Sequence, residues 1–121
     1  MTKALLDRDA ILALAGKELP FKDVPVPEWG GSVRIRSMTA AERDRWEDDQ
    51  RKRDENTVEN IRARFIAACA VREDGTLLFT DAGDVEKLGG MAIKPIQRLF
   101  NAAMRFNGLT NDDFDELVKN S

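Results

Sequence analysis

The chain has 121 residues, 42% of them hydrophobic and 34% charged, with a net charge of −3. That is enough for one modest core under a heavily charged surface, and it is not the net basic balance of a dedicated nucleic-acid module. There is no histidine, which removes the commonest general base and the commonest metal ligand. The one cysteine, Cys69, excludes an intramolecular disulfide, and its apolar setting in FIAACAV marks a buried thiol rather than an activated one. No apolar run approaches the ~20 residues of a membrane span. Asp7, Arg8 and Asp9 interrupt the N-terminal apolar stretch, so no secretory leader is expected, and the expected setting is the cytoplasm.

In chain order, Leu5, Leu6, Ile11, Leu12 and Leu14 predict a short first helix. Asp7 or Asp9 would cap it, and Gly16 would end it in the left-handed conformation. Pro20, Pro25 and Pro27 then forbid helix and confine any strand to a sheet edge. Gly30 and Gly31 supply a tight turn, and Ser32-Val33-Arg34-Ile35-Arg36 alternates apolar and basic. That pattern predicts a half-buried strand with Val33 and Ile35 inward, Arg34 and Arg36 outward, in a hairpin around Trp29.

Thr39 with Glu42 forms a capping-box pattern, so a helix should begin near Ala40 and carry Trp46 as its last large apolar residue. Beyond it, Glu47 with Arg51, Asp48 with Lys52 and Asp49 with Arg53 are acid-before-base pairs at spacing four. With no apolar stripe, residues 47–57 read as a solvated helix end or a mobile charged loop, and Arg51-Lys52-Arg53 as a solvated face. Asn56 and Glu59 can cap a core helix with Val58, Ile61, Phe65, Ala68 and Cys69 on one face. Glu73-Asp74-Gly75 is a turn before an extended Thr76–Phe79. Thr80 and Asp81 would cap a brief helix with Val85 and Leu88, stopped by Gly89-Gly90. A further helix from about Ile93 to Asn107 holds Pro95 in its first turn and turns Ile93, Ile96, Phe100, Ala103 and Met104 inward, with Leu99 beside them. Thr110 with Asp113 would open a last helix bearing Phe114, Leu117 and Val118. The architecture is α+β: a mostly helical single domain over 1–121 with a small antiparallel β-hairpin near the N-terminus.

No catalytic constellation emerges. A serine triad lacks its histidine, Gly89-Gly90-Met91 is not a phosphate loop, and Asp112-Asp113-Phe114-Asp115-Glu116 reads as acids offsetting a helix dipole rather than as a metal site. A hydrolase using acids distant in sequence has nothing to support it. No catalytic residue, cofactor or metal is assigned. What the residues do suit is protein binding: Trp29 as an aromatic anchor, Arg34 and Arg36 beside it, Phe106 and Phe114 as apolar contacts, with Met91 and Met104 as possible extensions. Trp29 either folds back over the hairpin or stands exposed, and Met104 is by type more often core.

The segments LLDRDAILAL, VPVPEWGGSVRIRSMTAAERD, DGTLLFTDAGDVEKLGG and RLFNAAMRFNGLTNDDFDEL, in that order, resemble the tail assembly chaperones of long-tailed, non-contractile, lambda-like phages and their prophages. The resemblance spans nearly the whole chain and rests on the ordered set; Glu47 to Glu55 carries none of it. It implies a non-enzymatic factor, absent from the finished virion, acting in the host bacterial cytoplasm. Such a factor would bind the tape-measure protein, keep it soluble and promote assembly of tail tube protein around it. It also implies self-association, and a longer product made by −1 frameshifting, for which Lys119-Asn120 offers codons of the slippery type. No nucleic acid or membrane partner is implied. The alternative is a small helix-turn-helix-like DNA-binding regulator built on the helix, FNGLT turn and last helix, although Asn111-Asp112-Asp113 would repel phosphates there.

Overall fold

The computed structural model describes residues 4–53 and 59–109. Among them are α1 (Arg8–Leu12), β1 (Phe21–Val26), a 3-10 turn (Pro27–Trp29), β2 (Gly31–Arg36), α2 (Ala40–Lys52), α3 (Ile61–Cys69), β3 (Ala70–Val71), α4 (Asp84–Gly89) and α5 (Ile93–Phe106). The fold is α+β: helices packed on a three-stranded antiparallel sheet of order β1-β2-β3.

The prolines place β1 as the alternation predicts. Phe21 pairs with Arg36 and Val26 with Gly31. Ser37 N donates to Pro20 O at 2.8 Å, so in an alternating antiparallel ladder Pro25 falls on a non-bonded pair. Its missing N–H therefore faces the open edge, where it costs no ladder bond. Lys22, Val24 and Val26 share a face with Val33 and Ile35, and Phe21, Asp23, Arg34 and Arg36 share the other. Val24, Val26 and Ile35 are buried and Val33 is half-buried against them.

The inner face is covered by α3 and α5. Phe65, on α3, is completely buried and stands edge-on to both Trp46 of α2 (centroids 4.9 Å apart) and Phe100 of α5 (5.8 Å). This three-ring chain joins three helices in the arrangement that the ring quadrupoles favour. Ile96, Leu99, Phe100, Ala103 and Met104 are buried along α5, as its spacing predicts. Ile93 is not: it is 62% exposed at the helix start, because the core ends one turn further along.

The helix ends show where local signals hold. Thr39 and Glu42 form the full capping box of α2, with Glu42 N donating to Thr39 Oγ1 and Thr39 N to Glu42 Oε1. Asp7 caps α1, accepting from Ala10 N at 2.8 Å. This helix is shorter than expected, however, with Leu5 and Leu6 before it and no residue buried. The α5 C-terminus turns at Gly108 (φ +72°), so that Leu109 N reaches Met104 O and Gly108 N reaches Arg105 O, with Leu109 buried against the core.

Two capping expectations are corrected. α3 opens at Ile61 after Asn60, whose φ is +65°, so Glu59 does not cap it; Asn56 and Val58 lie outside the described residues. α4 opens after Gly83 with no side-chain cap, and Asp84 instead accepts from Asp81 N. α4 stops at Gly89-Gly90 as expected, with the Asn60 side chain lying against Gly89 where a Cβ would displace it. Two ion pairs read from the charged end of α2 are formed, Glu47–Arg51 and Asp48–Lys52, and Arg51 to Arg53 are exposed. That end, although polar all round, is not solvated all round, because Gln50 is buried and accepts from Arg64 Nε of α3 at 3.1 Å. The predicted last helix and Phe114 lie outside the described residues.

Asn107, at the α5 C-cap, ties three elements. Its Oδ1 accepts from Met38 N at 2.8 Å, and its Nδ2 donates to Ala103 O and reaches Cys69 Sγ at 3.6 Å. Asn107→Ala leaves the N–H of buried Met38 unsatisfied and should cost about 1–3 kcal/mol in urea unfolding, whereas Thr39→Ala should cost about 1 kcal/mol by loss of the cap.

Candidate protein-binding surface

The outer sheet face carries the arginines predicted to point outward, and both are already paired. Arg34 grips Asp23 bidentately (2.7 and 3.1 Å) and lies over the Phe21 ring at 4.0 Å. Arg36 grips Glu42 bidentately (3.0 and 2.8 Å) with little exposure, and its Nε is buried with no hydrogen-bond partner. The Arg36 guanidinium beside Glu42 holds that carboxyl below its usual range, and Arg34 does the same to Asp23. Neither arginine is therefore a spare cation for phosphate. Together with Leu19, Phe21 and Val71 they line a shallow groove of about 390 Å³, flanked by Lys17 and Glu73.

Trp29 ends the 3-10 turn at the hairpin tip and is 39% exposed. Gly30, at φ +73°, lets the chain reverse there. Its neighbour Glu28 holds Arg98 of α5 bidentately at 2.5 and 2.8 Å, which pins the hairpin tip to the second turn of that helix. Phe106 is half-buried at the far end of α5. Eight residues at 1.5 Å rise separate Arg98 from Phe106, about 12 Å along the axis. The structure thus brings Arg34 and Arg36 together in one groove but sets Trp29, beside the second turn of α5, apart from Phe106 at the C-terminus of that helix.

Sequence reasoning missed the most exposed apolar segment as a surface. Leu5 is 99% exposed, and Leu6, Ile11, Leu12 and Leu14 are each more than half exposed. Met91 and Ile93 form a second exposed pair. They border a groove of about 280 Å³ between α3, α4 and the start of α5, floored by Ile61, Ala63, Leu88 and Ile96. The signal for the first was present: five large apolar residues within ten positions, next to a proline-rich stretch offering no helix to pack on. The second depended on where the core ends.

Among the described residues no three His, Cys, Asp or Glu side chains gather where they could hold a metal, and no helix is long and apolar enough to cross a membrane. Cys69 is buried as expected, and burial pushes its thiol up to about 12.

Two outcomes follow from this electrostatics. Arg98 holds the Glu28 carboxyl down to about 2, from an ordinary value of 4.5. A folded-state value depressed in this way gives stability that is present above the unfolded value and is lost as pH falls from there towards 2. Glu28→Gln should flatten the acid limb of the melting temperature against pH over that window and leave the neutral-to-alkaline limb parallel to wild type. Cys69 should resist a thiol reagent at pH 8 in the folded chain and react fully in denaturant, as absorbance titration would read. No protein-family model matches the chain, and no characterised protein or solved structure matches it.

Proposed function

We propose that this chain is a phage tail assembly chaperone. In this reading it binds the tape-measure protein in the host bacterial cytoplasm, keeps it soluble, promotes assembly of tail tube protein around it and is absent from the mature virion. The observation that carries the proposal is the concentration of exposed apolar side chains on a chain otherwise covered in charge: Leu5 to Leu14, Trp29, Met91 and Ile93. The ordered sequence resemblance supports it independently.

The physics of the task matches such a surface. A tape-measure protein is a long helical chain whose apolar stripes are exposed until tube protein covers them. Masking a stripe removes apolar area from water at roughly 25 cal/mol per Å². Small separate patches bind weakly enough for tube protein to displace them, since affinity in such systems is set mainly by the off-rate. Charged surroundings keep the complex in solution.

Co-expression with a tape-measure fragment tests the reading. The soluble fraction of the fragment should rise several-fold, and the complex should survive moderate salt because apolar contacts hold it. Trp29→Ala should weaken binding at least tenfold, as truncation of an aromatic anchor does. If saturating chain neither binds the fragment nor changes its solubility, the proposal fails. Retention on duplex DNA that falls steeply with salt would replace it with the DNA-binding reading.

A further inference from the structure

We propose that the outer face of α5 docks an acidic helix of a partner protein, through the row Lys94, Arg98, Asn101 and Arg105 with Arg62 of α3 beside it. The contact is electrostatic and does not rest on the cargo reading above.

The charge on this face is one-sided. α5 (IKPIQRLFNAAMRF) carries three basic residues and no acidic one, in a chain of net charge −3. Lys94, Arg98, Asn101 and Arg105 fall at i, i+4, i+7 and i+11, a single stripe about 16 Å long. With Ile93 and Gln97 they line a shallow trough of about 560 Å³, and no acid is among those lining residues. Glu28 meets the row at Arg98, which holds both its oxygens. Among the described residues Lys94, Arg105 and Arg62 form no ion pair. Hydrogen bonding also leaves donors on the surface. Arg62 Nε donates to Gln97 Oε1 at 2.8 Å, and Gln97 Nε2 donates to Asn101 Oδ1 at 2.8 Å. Both amide oxygens are engaged within the row, whereas the terminal nitrogens of Arg62, Asn101 Nδ2, Lys94 Nζ and the Arg105 guanidinium carry no hydrogen bond among the described residues. An array of charged and amide donors whose acceptors are already used selects a charged, acceptor-rich ligand, and on a protein that is a carboxylate.

Geometry and charge together choose the occupant. The backbone groups of α5 are bonded within the helix, so an extended peptide laid on the row would find no ladder to join. A helix brings its own backbone already satisfied, and its side chains repeat at the spacing of the row. Duplex nucleic acid carries a charge every ~1.7 Å and is held tightly by many phosphate contacts. This row offers it only Lys94, Arg105 and Arg62 as unpaired cations, with the Glu28 carboxylate at its second turn and a net negative chain behind it. An anionic membrane surface is held by a helix that lays an apolar face into it, and α5 spends that face on the core, where Ile96, Leu99, Phe100, Ala103 and Met104 are buried. A partner helix with carboxylates along one stripe meets the row without either cost. The rigid Arg98–Glu28 clasp and the Arg62–Gln97–Asn101 chain hold the donors in place before it arrives, so less side-chain freedom is lost on docking.

The test titrates the full-length chain into a fluorescent, side-chain-crosslinked helical peptide of about sixteen residues, alanine-rich, with Glu at i, i+4, i+7 and i+11. Anisotropy is read at about 0.15 M salt, where charges more than about 8 Å apart are screened. The Glu peptide should bind roughly tenfold or more tightly than the same peptide with Gln at those positions, and its affinity should fall as salt rises. Lys94→Glu with Arg105→Glu should weaken it roughly tenfold or more. Both side chains are exposed and form no ion pair among the described residues, so melting should match wild type; where it does not, Lys94→Gln with Arg105→Gln is used. Arg51→Glu with Lys52→Glu makes the same change in net charge at the exposed end of α2 and should leave affinity within about twofold. Equal binding of the Glu and Gln peptides, an unchanged affinity in the α5 variant, or an equal loss in the α2 variant would each overturn the proposal. So would tighter binding of a DNA duplex or of phosphatidylserine vesicles that the α5 variant abolishes, or an oligomer of the chain alone that the α5 variant dissociates in gel filtration. Binding of a tape-measure fragment is read separately and should resist salt, so failure of the cargo reading and failure of this one are distinguishable.

Discussion

A three-stranded sheet with one apolar face must have that face covered, and here the cover is organised around Phe65. The inner row of Val24, Val26 and Ile35 is too narrow to stabilise a hairpin alone. α3 and α5 cross it, and Phe65 fills the space between them with no exposed surface. The rings of Trp46 and Phe100 stand edge-on to it from either side, so α2 is drawn into the same core. Remove the sheet and the helices lose the surface that orients them; remove the helices and the hairpin is a marginal ribbon.

Polar side chains then lock the arrangement at its seams. Asn107 satisfies the backbone between β2 and α2 from the end of α5. Gln50 and Arg64 join α2 to α3, Arg36 and Glu42 join the sheet to α2, and Glu28 and Arg98 join the hairpin tip to α5. Bidentate pairs of this kind fix orientation as well as adding energy. Because the arginines of the outer face are spent in this way, the sheet offers a mixed apolar and paired-charge groove rather than a cationic one. That weighs towards recognition of a protein and away from phosphate.

The same economy leaves apolar residues stranded. A small chain buries only part of its apolar surface, yet Leu5, Ile11, Leu12, Met91 and Ile93 are gathered into two patches instead of being scattered. Contiguous exposed apolar surface on a charged protein marks a place where another surface sits.

Periodicity and punctuation by themselves determined the element types and most of their faces: the alternation of Ser32 to Arg36, the prolines confining β1 to an edge, the capping box at Thr39, the helical spacing of α3 and α5, and the burial of Cys69. These signals are local, so the chain carries them wherever it folds. Only the tertiary structure decided that Gln50 is buried, that Ile93 is not, that Asn60 and Gly83 rather than Glu59, Thr80 or Asp81 precede α3 and α4, and that Arg34 and Arg36 are neutralised by Asp23 and Glu42. It also decided that Trp29 and Phe106 stand apart while the apolar arm and the α3–α5 groove are left open. Each of these depends on which residue of a distant element comes to lie opposite, through the register of β1 on β2 or the point at which α5 leaves the core, and no local pattern encodes that distance.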